Sequence, residues 1–78
     1  MSRKLFVGAK VTLDPLSPYW EENYPDNPRG IVGEVVRVTR ESDDENMIWW
    51  KVHWSNGKYN SYRNGELKVL GTVIKEEN

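Results

Sequence analysis

The chain has 78 residues, with eleven Lys and Arg against twelve Asp and Glu, no cysteine and a formal net charge of −1. That length holds one hydrophobic core and no second domain, so residues 1–78 read as a single module with a net stability of about 3–5 kcal/mol. Near-neutral charge supplies no global positive field for nucleic acid or an anionic membrane, and the lack of cysteine excludes disulfides, thiolate metal sites and cysteine nucleophiles.

No apolar run reaches the roughly 20 residues of a membrane span, and Met1 to Lys10 lack the apolar stretch and small-residue cleavage site of a secretory signal. The expectation is an unexported cytoplasmic protein with no membrane partner. β-Branched and aromatic residues alternate with polar ones along most of the chain, and no segment carries the i, i+3, i+4, i+7 apolar spacing of a long helix. A first strand is expected from Val7 to Leu13, ended by Asp14-Pro15. Residues 15–30 hold Pro15, Pro18, Pro25 and Pro28, a pattern that forbids regular structure yet stiffens the backbone into a structured loop.

A second strand is expected from Ile31 to Thr39, with Gly30 and Gly33 permitting a bulge or a sharp bend. The acidic stretch Glu41 to Asn46 reads as an exposed hairpin loop. Met47 to Trp54 alternates as a third strand, with Trp50, Val52 and Trp54 on the core face and Trp49, Lys51 and His53 on the outer one. Ser55-Asn56-Gly57-Lys58 is a hairpin turn leading into a fourth strand, Tyr59 to Arg63. A two-residue turn would pair Trp54 with Tyr59 and put Asn60 and Tyr62 outside; a bulged three-residue turn reverses those faces, and the sequence leaves both registers open. A turn at Asn64-Gly65 precedes a short strand, Leu67 to Leu70, and Gly71 to Asn78 are expected to fray. About five short antiparallel strands at this size imply an all-β fold, a small SH3-like barrel with its core over residues 7–70.

Several segments together resemble the MIB/HERC domain of mind bomb and HERC-type ubiquitin ligases. They are Val7-Gly8-Ala9-Lys10-Val11, Pro18-Tyr19-Trp20, Gly30-Ile31-Val32-Gly33-Glu34-Val35-Val36 and the run Val52-His53-Trp54-Ser55-Asn56-Gly57-Lys58-Tyr59-Asn60-Ser61-Tyr62-Arg63. The most specific part is Trp-x-Asn-Gly-x-x-Asn-x-Tyr-Arg. The chain departs from that pattern in Glu21 to Pro28, and its ending is reduced to Gly65-Glu66-Leu67. The resemblance implies an SH3-like barrel that recognises segments of other proteins and carries no catalytic activity.

Four Trp, four Tyr and one Phe exceed what so small a core hides, which points to aromatic rings on the surface. Tyr19 and Trp20 on the proline-stiffened loop are candidates for one wall of a peptide groove and Trp49 for the other, with Lys51, Tyr59, Tyr62 and Arg63 completing the candidate surface. Trp20 and Tyr24 also suit a plug over the open end of a barrel. Arg37 joins Lys51 and Arg63 as cations that would meet an acidic peptide or phosphate. Asn60 suits a hydrogen bond that supports its turn. His53 stands alone without a second ligand at metal spacing, and no sequence motif calls for a metal, a cofactor or a catalytic centre. The leading expectation is therefore a non-catalytic, monomeric module that binds a protein or peptide. The alternatives are a KOW-like nucleic-acid-binding barrel and a homodimer through the aromatic face.

Overall fold

The computed structural model describes residues 5–22, 24–25 and 27–70. Five strands form one antiparallel sheet: β1 (Lys10–Leu13), β2 (Gly33–Arg40), β3 (Trp49–Trp54), β4 (Tyr59–Tyr62) and β5 (Leu67–Val69). Their order is β4-β3-β2-β1-β5, so β4 and β5, neighbours in sequence, lie at opposite ends of the pairing. In a flat sheet four strand spacings would separate them by about 19 Å. The link between them includes a 3-10 turn, Asn64–Glu66, and reaches only about 13 Å. The sheet must therefore curl, which makes this a small SH3-like barrel, as the strand count implied.

Curling places one side chain of each alternating pair inside. Val11 and Leu13 of β1, Val35 of β2, Trp50, Val52 and Trp54 of β3, Tyr62 of β4 and Leu67 of β5 are buried there, together with Leu5, Ala9 and Ile48. Leu5, only 1% exposed, extends the core beyond the expected lower limit at residue 7. Tyr19, Trp20, Ile31, Val38 and Val69 pack against it from its edges.

Several boundaries differ from those read in the sequence, each for a local reason. Val7 and Gly8 form a turn with Gly8 at φ 97°, so β1 starts at Lys10, although the Gly8 amide still donates to the Val35 carbonyl. β2 starts at Gly33, where a Cβ would come within 2.6 Å of Val52 Cγ1 and 2.7 Å of Trp54 Cε3. The strand then carries two register shifts, one between Val35 and Arg37 and one between Val38 and Arg40. Each adds a residue on β2, so Val35 and Val38, three apart, both face inward opposite Val52 and Trp50.

β3 starts at Trp49 because Glu45–Met47 winds into a 3-10 turn, capped by the Asp44 side chain accepting from the Asn46 amide. Only the first part of the expected acidic hairpin loop is therefore irregular. β4 ends at Tyr62, and the expected turn at Asn64-Gly65 is the second 3-10 turn. Residues 71–78 lie outside the described part of the chain.

The hairpin register is the bulged one. Tyr59 pairs with His53 and Tyr62 with Trp50, and a three-residue loop closes with the Trp54 amide donating to the Lys58 carbonyl and Gly57 at φ 90°. Tyr62 is consequently a core residue and Tyr59 an exposed one. A buried relay ties this hairpin to the long loop. Trp54 Nε1–H donates to the Tyr62 hydroxyl (3.1 Å), which donates to Asn27 Oδ1 (2.5 Å), and that same oxygen accepts from Asn60 Nδ2 (2.9 Å). Asn56 Nδ2 reaches the Pro25 carbonyl at 3.1 Å. The Trp-x-Asn-Gly-x-x-Asn-x-Tyr-Arg run is thus a structural unit that ties Pro25 and Asn27 of the long loop to the barrel. Among the described residues no helix is long and apolar enough to cross a membrane.

Candidate functional site

Because Trp50, Val52 and Trp54 point inward, Trp49, Lys51 and His53 line the outer face of β3. The pairing extends that face sideways. Arg40 lies opposite Trp49, Arg37 opposite Lys51 and Glu34 opposite His53 on β2, while Ser61 faces Lys51 and Tyr59 faces His53 on β4. Three rows result, two of them cationic and the third mixed.

In the first row the Arg63 guanidinium lies 5.1 Å from the centroid of the Trp49 ring, within the range of a cation–π contact. Arg63 is held there from behind. Its amide donates to Glu66 Oε1 at 2.9 Å, its guanidinium stands 3.7 Å from Glu66 Oε2, and the Glu66 amide donates to the Arg63 carbonyl. Glu66, 6% exposed, acts as the second 3-10 turn's own brace. Arg63 Nη1 also reaches Met47 Sδ at 3.9 Å. Beside this pair opens a cleft of about 500 Å³ lined by Arg40, Glu41, Ser42, Met47, Trp49 and Arg63. Its walls mix an aromatic ring, a thioether, two cations, a hydroxyl and a carboxylate. Such a set offers an apolar patch and charged hydrogen-bond donors side by side.

In the second and third rows the Lys51 ammonium sits 5.0 Å from the Tyr59 ring centroid, and Tyr59, 53% exposed, stacks on His53 at 4.4 Å and 13°. Thr39, in a bulge of β2, donates its hydroxyl to the Trp49 carbonyl and lies 3.4 Å from Ser61 Oγ. Glu34 at the far corner is bound to Lys10 Nζ at 2.9 Å. That ammonium's hydrogen bond and charge hold the Glu34 carboxyl below its ordinary value of 4.5.

Of the seven residues expected at a partner surface, Trp49 and Arg63 form one contacting pair and Lys51 and Tyr59 another. Tyr62 does not belong with them, since the bulged turn puts its ring in the core at 0% exposure. Tyr19 packs edge-on against Tyr62, centroids 5.9 Å apart, on the loop side of the barrel. Burial and the charges of Glu66 and Glu22 raise the Tyr19 phenol above its ordinary value of 10.0, against an opposing pull from Arg63. Trp20 is half-buried against the core, with the Arg29 guanidinium 5.2 Å from its ring and Arg29 Nε bonded to its carbonyl. Packed against the core and covered by Arg29 of its own loop, it suits the plug reading. Tyr24 is 60% exposed and plugs nothing.

Arg40, Met47 and Glu66 escaped the sequence reading. Plain alternation from Val35 already puts Arg40 outside, but in an unbulged register it would lie opposite Met47, before β3 begins; only the two bulges bring it opposite Trp49, and neither bulge has a distinct residue signature. Glu66 had one available signal, its three-residue spacing from Arg63, which is that of a reciprocal cap. No family model, no curated protein and no solved structure matches the chain.

Proposed function

We propose that this barrel is a non-catalytic protein-interaction module, reading a short segment of a partner protein through Trp49, Arg63, Lys51 and Tyr59, with Tyr19 at the margin. The observation that carries the reading is the cleft beside Trp49. A large ring is fixed on a strand, not a mobile loop, and stands half-buried next to about 500 Å³ of open space with a braced arginine across it. Rigid aromatic and arginine anchors of this kind concentrate binding energy, because little side-chain freedom is lost when a partner docks. The resemblance to MIB/HERC domains supports the same reading, and the hairpin run that carries it ends on Arg63. A cytoplasmic setting is part of the proposal; a chain without cysteine keeps its fold under reducing conditions.

The test is affinity capture from cell lysate by the wild type and Trp49→Ala side by side, each confirmed as folded, with and without nuclease. A protein retained by the wild type through nuclease treatment and lost by the variant supports the reading. Bound material that disappears with nuclease would replace it with nucleic-acid binding.

A further inference from the structure

The charges of this protein nearly cancel in sum but not in place. Arg37, Arg40 and Lys51 gather on the outer face of β2 and β3, with Arg63 just past the end of β4 over Trp49, whereas Glu41, Asp43, Asp44 and Glu45 gather on the connection between β2 and β3. Of the carboxylates beside the three rows, Glu34 is bound to Lys10, Glu66 braces Arg63 from behind and Glu41 lines the cleft next to Arg40. Within this face two cations are held in position by rings: Arg63 over Trp49 and Lys51 over Tyr59.

From this we infer that the ligand of the face is an extended acidic peptide segment with carboxylates at alternate positions, an inference that rests on the peptide-reader proposal above. Same-face residues of β3 recur about every 6.8 Å, and same-side residues of an extended peptide have the same period. Carboxylates at i and i+2 therefore match the row of Arg40 and Arg63 and the row of Arg37 and Lys51 in succession. Arginine donors meet a carboxylate as a fork, and a guanidinium already fixed on a ring loses less freedom in doing so.

The same ring contacts disfavour nucleic acid. Base stacking needs bare aromatic faces, and the faces of Trp49 and Tyr59 that meet Arg63, Lys51 and His53 are covered by the protein's own side chains. A long polyanion would also meet the acidic connection of Glu41, Asp43 and Asp44 that follows Arg40 in the chain, Glu41 lining the cleft itself.

The experiment titrates the whole ¹⁵N-labelled protein with three probes at low salt: an eight-residue peptide of alternating Glu and Ser, the matching Lys-Ser peptide, and an eight-residue oligo-dT. The expected result is that only the Glu-Ser peptide shifts the amides of Arg37, Arg40, Lys51 and Arg63 and the Trp49 indole. Affinity should fall about tenfold in the folded Arg37→Glu/Lys51→Glu variant, and likewise when salt shortens the Debye length from about 10 Å to about 3 Å. No shift with the Glu-Ser peptide, shifts elsewhere on the barrel, or tighter binding of oligo-dT overturns the inference. The captured partner separates this inference from the proposal beneath it. If Arg37→Glu/Lys51→Glu retains the partner while Trp49→Ala loses it, the acidic segment is wrong and the peptide reader stands; if both variants retain it, both fall.

Discussion

Asn27 illustrates how one side chain organises a loop that sequence patterning leaves shapeless. It is 8% exposed, and its Oδ1 accepts from both the Tyr62 hydroxyl and Asn60 Nδ2. Removing it leaves a buried hydroxyl and a part-buried amide without that acceptor, a loss of about 1–3 kcal/mol, a large share of a small domain's stability. Urea unfolding of Asn27→Ala should show that loss. A double-mutant cycle with Tyr62→Phe should be less than additive, because the second change removes the group the first one orphans. Glu34 supplies a residue-scale test by pH. Its carboxyl is lowered by the Lys10 hydrogen bond, so its contribution is present above the ordinary value of 4.5 and is lost as pH falls through the lower folded value. A carboxyl NMR titration should place Glu34 below 4.5 in the wild type and return it toward that value in Lys10→Met.

Among the elements, β3 was the most legible. Period-two alternation placed Trp50, Val52 and Trp54 inside and Trp49, Lys51 and His53 outside, and the fold keeps that division because β3 has no bulge of its own against β4. β2 was less legible for a physical reason: a bulge changes which residues share a face without demanding a particular side chain. The hairpin required a choice between two turns, both compatible with Asn-Gly, and only the pairing of Tyr59 with His53 decides it. The acidic stretch hid a 3-10 turn because three residues are too few to show a period. Gly33 tests how closely β2 approaches β3. A methyl there meets Val52 and Trp54 well inside normal contact, so Gly33→Ala should destabilise the fold by about 1–3 kcal/mol and lower the thermal midpoint by roughly 4–8 °C per kcal/mol. An unchanged midpoint in a calorimetric scan would mean that the strands move apart more freely than this packing implies.

At the scale of the molecule, the small size of the domain bears on the function proposed for it. A barrel of this length has room for Trp50 and Trp54 in its core but not for every ring, and Trp49 stands on the outside of the same strand. Adjacent tryptophans thus stand on opposite faces of β3, Trp50 in the core and Trp49 at the proposed partner surface. The general class of fold followed from alternation and turns, while the candidate surface followed only in part: the rings were visible in the sequence, but Arg40, Met47 and the Glu66 brace arrive through bulges and a cap. Trp49, half-buried and outside the core, gives up its cation–π contact and the partial packing of its ring when it is truncated, together about 1–2 kcal/mol. The most direct measurement is therefore thermal unfolding and partner capture of Trp49→Ala beside the wild type. The account predicts a folded variant with a thermal midpoint within about 15 °C of the wild type, together with loss of the nuclease-resistant protein partner. Full retention of that partner by a folded Trp49→Ala, or collapse of the fold itself, would contradict it.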